Sequence, residues 1–582
     1  MSLQQLLKNR EDNFPRPKMV RSDYVLLDGS WDFEISKTDK MIETFSQTII
    51  VPFGPETKAS NIHKTVYPDD YLHYRRHINI KQEDSFETLL HFQAIDQKCW
   101  VYLDGVYLGY HEGGYTSFSF VLDSNFKTGT YELYVIVNDQ TELEPFGRGK
   151  QRLNNTGFMS SIFYTPVSGI WQSVWLETRP IKAIESVDIE AFYLNRELLI
   201  TVNTNQRIQE VATVSIYDQN TLIHTEVVTT DQKQSIRLPD IKAWSTEEPN
   251  LYDIVIEYGE DTILTYVGFR DVSSLMDKHE YKRIALNDTP IFMNGVLDQG
   301  YWPDTLLTPR CDEALIADIH LVKSLGYNTM RKHVKVEMER FYYHCDRIGM
   351  YVWQDIPNGG EDYKFHFVTI FPNISDFLSR HISDKNYRRM GRAKQRSRDI
   401  YNQELQEIIT QLKHYPSIVV WVPFNEGWGQ FDAKAATHNI KNIDQSRLIN
   451  EACGWFDQGG GDMYSIHSYF KPLHVRRSDR IVALTEFGGH ALAIEGHTFG
   501  TKNFGYKQMD PNKVDEAYKK IYEIKVIRNI KHGLSAAIFT QLSDVFNEIN
   551  GLITFDRQVI KVDKETIISI NDNIKDTFNS VI

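Results

Sequence analysis

Apolar and polar positions alternate with period two through the first third of the chain. From about residue 20 to 180, runs such as Ser30-Trp31-Asp32-Phe33-Glu34-Ile35 and Trp100-Val101-Tyr102-Leu103 stop at turn residues, the pattern of strands with one buried face. Asp104-Gly105 supplies the positive φ angles of a tight turn, so Trp100 to Gly109 is predicted as a hairpin. Tyr131 to Val137 and Ile170 to Glu177 add strands with few helices between them. Residues 1–180 are therefore expected to close as an N-terminal jelly-roll β-sandwich. A second all-β block, 181–273, runs through Leu198 to Val202, Val211 to Tyr217 and Leu251 to Ile256. Its ~90 residues suit an immunoglobulin-like β-sandwich.

After residue 274 the pattern changes to strands alternating with helices. Eight strands are predicted: Ile291 to Val296, Asn328 to His333, Met350 to Gln354, Ile418 to Glu426, Leu448 to Ala452, Met463 to His467, Ile481 to Glu486 and Leu534 to Leu542. Asp312 to Leu325 and Lys335 to Ile348 carry apolar residues at three- and four-residue spacing, as helices do. Eight such units make a (β/α)8 TIM barrel over 274–582, with its chemistry at the C-terminal strand tips. Two tips stand out. Val419-Val420-Trp421-Val422-Pro423-Phe424-Asn425-Glu426-Gly427 and Ile481-Val482-Ala483-Leu484-Thr485-Glu486-Phe487-Gly488 are buried strands that each deliver one glutamate before a glycine turns the chain. Two carboxylates at the same ends of parallel strands can face one sugar ring from opposite sides. Glycoside cleavage through a covalent intermediate needs that arrangement.

Composition narrows the picture. A chain of 582 residues exceeds one core and suggests three or four domains, and 41% hydrophobic with 24% charged residues is the balance of a folded, soluble protein. The net charge of −14 argues against nucleic acid or an anionic membrane as partner. No run of ~18 apolar residues occurs, and Met1 to Arg10 lacks an apolar leader core, so no membrane partner and a cytoplasmic location are expected. Cys99, Cys311, Cys345 and Cys453 lie far apart, with neither metal-ligand spacing nor a disulfide framework, and read as buried thiols. Arg388-Arg389-Met390-Gly391-Arg392-Ala393-Lys394-Gln395-Arg396-Ser397-Arg398 is a dense basic insertion between strands three and four. It reads as a solvated face or subunit contact, with an anionic-ligand site near the barrel mouth as the alternative.

With these residues in view, the chain resembles glycoside hydrolase family 2, which includes β-galactosidases, β-glucuronidases and β-mannosidases. The likeness covers nearly the whole length: His111-Glu112-Gly113-Gly114-Tyr115, Ser168-Gly169-Ile170-Trp171-Gln172, Val267-Gly268-Phe269-Arg270, Asn294-Gly295-Val296, Asn328-Thr329-Met330-Arg331, Asn425-Glu426 and Thr485-Glu486-Phe487-Gly488. The resemblance implies that Glu426 is the general acid/base and Glu486 the nucleophile. It further implies that Asn425 holds the sugar 2-hydroxyl and that Tyr469 hydrogen-bonds the nucleophile. Arg331, near the end of strand two, is positioned to keep the nucleophile ionised through a charge-assisted bond. His333, His467, Asp298, Trp302 and Asp355 sit at or just past strand tips and are candidate glycone contacts.

The sequence departs from the family pattern at specificity positions. β-Glucuronidases carry Asn-x-Lys after strand eight to seize the sugar carboxylate, whereas this chain reads Asn547-Glu548-Ile549-Asn550-Gly551. The tryptophan at the end of strand eight is replaced within Phe539-Thr540-Gln541-Leu542, a histidine after strand one is absent around Leu297-Asp298-Gln299-Gly300, and the Arg-x-Ser-His run reads Arg331-Lys332-His333-Val334. The expected protein is a retaining exo-β-glycosidase acting on an oligosaccharide or glycoside, a β-galactosidase first, with β-glucuronidase or β-mannosidase as alternatives. No cofactor and no metal are expected, and a homo-oligomer is. The rivals of another class are a carbohydrate-binding protein without turnover and a glycan-dependent scaffold that recruits a partner through the basic insertion.

Overall fold

The computed structural model describes residues 3–582 apart from 123–124, 154–161, 362–363, 365, 375, 471, 500–503 and 506. In the first region, alternation buries one face of each of two antiparallel sheets. The six-stranded sheet runs in the order Gln47–Val51, Gly29–Ser36, Tyr71–Ile80, Gly129–Asn138, Lys98–Leu103, Val106–Glu112, and the four-stranded sheet in the order Tyr24–Leu26, Val174–Pro180, Phe86–Phe92, Phe118–Val121. Trp31, Phe33, Tyr74, Leu90, Phe92, Val101 and Val135 form the core between them. The next region faces a three-stranded sheet (Ile184–Phe192, Glu197–Thr204, Gln234–Arg237) with a four-stranded one (Thr221–Thr229, Val211–Asp218, Tyr252–Tyr258, Asp261–Val267), the seven strands of an immunoglobulin-like sandwich.

The remainder is the barrel. Its strands are β1 (Met293–Asp298), β2 (Thr329–Lys332), β3 (Tyr351–Asp355), β4 (Ile418–Val422), β5 (Leu448–Ile449), β6 (Met463–Ser468), β7 (Ile481–Gly488) and β8 (Leu534–Thr540). They hydrogen-bond in the order β5-β4-β3-β2-β1-β8-β7-β6, all parallel. The remaining gap is spanned where Asp462 N–H donates to Ile449 O at 2.8 Å. Leu297, Trp353, Val420, Val422, Ile481 and Ile538 fill the interior, and Ile284 and Leu286 from the hairpin Lys282–Leu286/Thr289–Ile291 join the same cluster. Each such aliphatic side chain contributes about 1.5–3 kcal/mol on burial, so the barrel floor is rigid and only its mouth is free for chemistry.

Two sequence expectations need correction. The second predicted helix begins at Glu339 and not at Lys335, because Lys335 and Glu337 are held in a buried ion cluster before the helix starts. Cys311 is exposed, at the N-cap of the surface helix Asp312–Ser324, while Cys99, Cys345 and Cys453 are buried.

Candidate active site

Pro423 has no N–H for the ladder, so β4 stops at Val422, and Phe424–Asn425 forms a separate short pairing with Ala452–Cys453. Glu426 follows in the left-handed region, φ 53°, a conformation that costs a non-glycine residue about 1–2 kcal/mol. It is held there by its N–H donating to Cys453 O at 2.8 Å. On β7 the register slips between Leu484 and Phe487 against β8, and the β6 partner slips between Ile466 and His467, so Glu486 sits where the ladder is irregular on both sides. One carboxylate oxygen of Glu426, one of Glu486 and a ring nitrogen of His467 lie within 4.8 Å of one another. Gly454, φ 91°, permits this packing: a Cβ there would lie 2.6 Å from His467 Nδ1.

Arg331 organises the nucleophile side. Its guanidinium is fully buried and every N–H is used: Nε and Nη2 donate to Asp355 Oδ1 and Oδ2 at 3.0 and 2.9 Å, Nη1 to Glu486 Oε1 at 3.0 Å and Thr485 O at 3.2 Å, and Nη2 to Asn425 Oδ1 at 2.7 Å. Because Arg331 takes the Asn425 oxygen, the Asn425 amide N–H2 is left for a ligand. Tyr469 O–H donates to Glu486 Oε2 at 2.6 Å, and Thr540 Oγ1 lies 3.0 Å beyond the phenol oxygen.

His467 sits between the carboxylates, with Nδ1 2.9 Å from Glu426 Oε1 and 3.4 Å from Glu486 Oε2, and Nε2 3.3 Å from Cys453 Sγ. Burial disfavours its charge, yet the Glu486 carboxylate and the bond to Glu426 push His467 up to about 10. Burial likewise works against a charged Glu486, but His467 and then Arg331 hold its carboxyl well below the usual carboxylate range. A divalent cation would find three donors at this spacing, but Arg331, Tyr469 and the imidazole already satisfy these carboxylates as an ion-pair network.

The remaining expected contacts divide. His333 stays at the site, its Nδ1 3.1 Å from Asp355 Oδ2, and burial lowers its pKa toward the neutral ring in spite of that bond. Asp355 is fully buried beneath Arg331, His333 and the Val334 N–H, so it supports the site and does not face a sugar. Both nitrogens of His467 are turned to protein in the same way. Asp298 is also turned away: Lys332 Nζ donates to it at 2.5 Å, Gly300 N–H at 2.9 Å, and Lys332 continues to Glu337. Trp302 is buried against Lys335, whose Nζ lies 5.0 Å from the ring centroid, and makes no bond to either catalytic-candidate glutamate.

Two mouth residues, Lys150 and Tyr164, had no signal in the sequence, and a third, Glu548, stood out there only as part of the segment that lacks the glucuronidase lysine. Glu548, in the segment after β8, is buried; Tyr164 O–H from the first sandwich donates to its Oε2 at 2.6 Å and Asn550 Nδ2 to its Oε1 at 3.2 Å. Lys150 lies over Trp428, Nζ 5.3 Å from the ring centroid, with no described carboxylate within 4.0 Å. Lys150 and Tyr164 both stand far before Glu426 along the chain, and no spacing rule spans that interval.

Comparison with known proteins bears on the family and the fold. The model for "Glycosyl hydrolases family 2, TIM barrel domain" matches residues 278–464, and that for "Glycosyl hydrolases family 2" matches residues 172–270. A β-glucuronidase of Streptococcus agalactiae is 23% identical over 435 residues, 71% of this chain and 68% of that protein. A β-galactosidase of Actinobacillus pleuropneumoniae is 25% identical over 535 residues, 84% of this chain, which spans about half of that relative's length (50%). Among solved structures, an uncultured Clostridium sp. β-glucuronidase aligns with TM-score 0.71 at 16% identity, covering 95% of this chain and 98% of that one. A β-galacturonidase from Eisenbergiella tayi bound to galacturonate aligns with TM-score 0.67 at 18% identity, covering 95% and 97%. These structural likenesses speak to the fold, and the family models reach both the middle sandwich and the barrel. The chain belongs to glycoside hydrolase family 2.

Proposed function

We propose that the protein hydrolyses terminal β-glycosides with retention of anomeric configuration. Glu486 attacks the anomeric carbon as the aglycone leaves, and the departing oxygen takes the proton held by the Glu426–His467 pair. Water then gives its proton back to that pair as it displaces Glu486 from the sugar. The observation carrying this reading is the approach of one Glu426 and one Glu486 oxygen to within 4.8 Å, beside the ~5–5.5 Å that a retaining pair needs. Arg331 and Tyr469 bond Glu486 in its ionised form, and the free Asn425 amide is placed to donate to a sugar hydroxyl. A binding protein without turnover has no use for a nucleophile kept charged at the expense of burial.

For the glycone, a β-galactoside fits best. The segment after β8 offers Glu548 where a β-glucuronidase carries the lysine for the sugar carboxylate, and burial raises the Glu548 carboxyl above its ordinary range, so this position presents a hydrogen-bonding group for a hydroxyl and no cation for a sugar acid. One observation favours a second reading: Lys150, a cation with no described acidic partner, bears electrostatically on both Glu548 and His333, which suits a β-hexuronoside. The relatives' names divide the same way. A panel of nitrophenyl β-glycosides tests both. Release from the galactoside, abolished in Glu426→Gln, supports the first; release from a uronide that falls ten-fold or more in Lys150→Met supports the second. No release from any member defeats the glycosidase reading.

A further inference from the structure

A cleft of about 460 Å³ opens beside the catalytic-candidate pair, with His467 and Tyr469 in its wall. Its other polar lining is basic: Arg380 from the insertion between β3 and β4, His381 next to it, and His474 and Arg476 from the loop after β6. Among the described residues, no aspartate or glutamate lines it. On a chain of net charge −14, a ligand-sized concavity lined by two arginines, three histidines and no described carboxylate is a local reversal of sign. The same cleft carries Trp455, buried with its ring 5.9 Å from that of His467, and Tyr464, whose ring lies 4.5 Å from the Arg380 guanidinium carbon. Aromatic faces beside arginines are the combination that holds a sugar ring by stacking and its anionic substituent by charge-assisted bonds.

We propose that this cleft is an acceptor-side subsite for an anionic sugar, one bearing a carboxylate or a sulfate, so that the natural substrate is an acidic oligosaccharide cut next to its charged residue. The inference rests on the glycosidase reading for its meaning, but its binding prediction does not need turnover. His467 and Tyr469 connect the two: a sugar lying in this cleft, beside Tyr464 and the Trp455 edge, shares a wall with the groups that bond Glu426 and Glu486. Arg476 and His474 are exposed and pair with no described carboxylate, so a ligand anion displaces only water there.

The test is calorimetric titration of the full chain with tetragalacturonate, its fully methyl-esterified counterpart and a sulfated galactan tetramer. At low ionic strength at least one charged tetramer is expected to bind ten-fold or more tightly than the ester, and which one does so identifies the anion. That advantage should vanish in Arg380→Gln/Arg476→Gln, with affinity for the ester unchanged, and should shrink in the wild type between about 0.02 and 0.5 M salt. Equal affinity for all three tetramers, or an advantage that survives the double variant or high salt, overturns the proposal. Nitrophenyl glycoside hydrolysis reports separately on the glycosidase reading: charged-tetramer binding without any hydrolysis sinks that reading and leaves the subsite standing.

Discussion

At the residue scale the site depends on one shared proton and one arginine. His467 touches both glutamates and Cys453, with the Trp455 ring against it, so its titration belongs to the set and not to a single side chain. Its folded pKa lies above its unfolded value of about 6.5, so the stability it adds is fully present below ~6.5 and is lost as pH rises through about 10. Thermal unfolding of His467→Gln against wild type should therefore show the largest gap at pH 5.5 to 6.5, closing toward pH 10. The alkaline limb of kcat/KM should move to lower pH in the same variant; a profile that keeps its shape would remove His467 from the proton's path. Arg331→Met leaves Asp355 and Glu486 buried without their cation and should cost about 3–5 kcal/mol in urea unfolding, together with most of kcat. Glu426 and Glu486 were legible in the sequence because each follows a buried apolar run shortly before a glycine. The part of His467 was not, since a strand-tip histidine gives no indication of which way its ring faces.

At the level of elements, the eight barrel strands were readable because apolar runs in a parallel sheet are continuous, and their observed bounds differ from expectation by a few residues. The break at Pro423 follows from a proline in plain view, although the expected strand ran through it to Glu426, whereas the register slips beside Glu486 arise between strands and leave no mark in either. These irregularities aim the carboxylates, so a change that touches them should disturb activity more than fold. Gly454→Ala is the direct probe: with φ 91° and an added Cβ 2.6 Å from His467 Nδ1, the substitution must displace the imidazole. A ten-fold or greater loss in kcat with a drop in Tm of a few degrees is expected. A wild-type kcat would mean the imidazole position is not critical. Asp298 and Trp302 illustrate the limit of tip-counting, since a residue at or past the end of β1 packs into the Lys332–Lys335–Glu337 cluster as readily as it meets a ligand.

For the whole molecule, the sandwiches are coupled to each other and to the barrel mouth through buried charge. Arg21 donates to Glu177 of the first sandwich and to both oxygens of Asp261 of the second, and all three are buried. Arg21→Ala leaves Asp261 buried without its cation, while Glu177 keeps Arg16 at 3.0 Å, and should lower global stability by about 3–5 kcal/mol in denaturant titration while leaving KM unchanged. Tyr164 reaching Glu548 shows the first sandwich completing the barrel's pocket, a relation that no local pattern in the chain encodes. The account as a whole stands on Glu426 and Glu486 acting on opposite faces of one sugar ring. Proton NMR of the first sugar released from the fastest-cleaved nitrophenyl β-glycoside tests this most directly. The β anomer should accumulate before mutarotation, and initial release of the α anomer would contradict a glycosyl intermediate on Glu486.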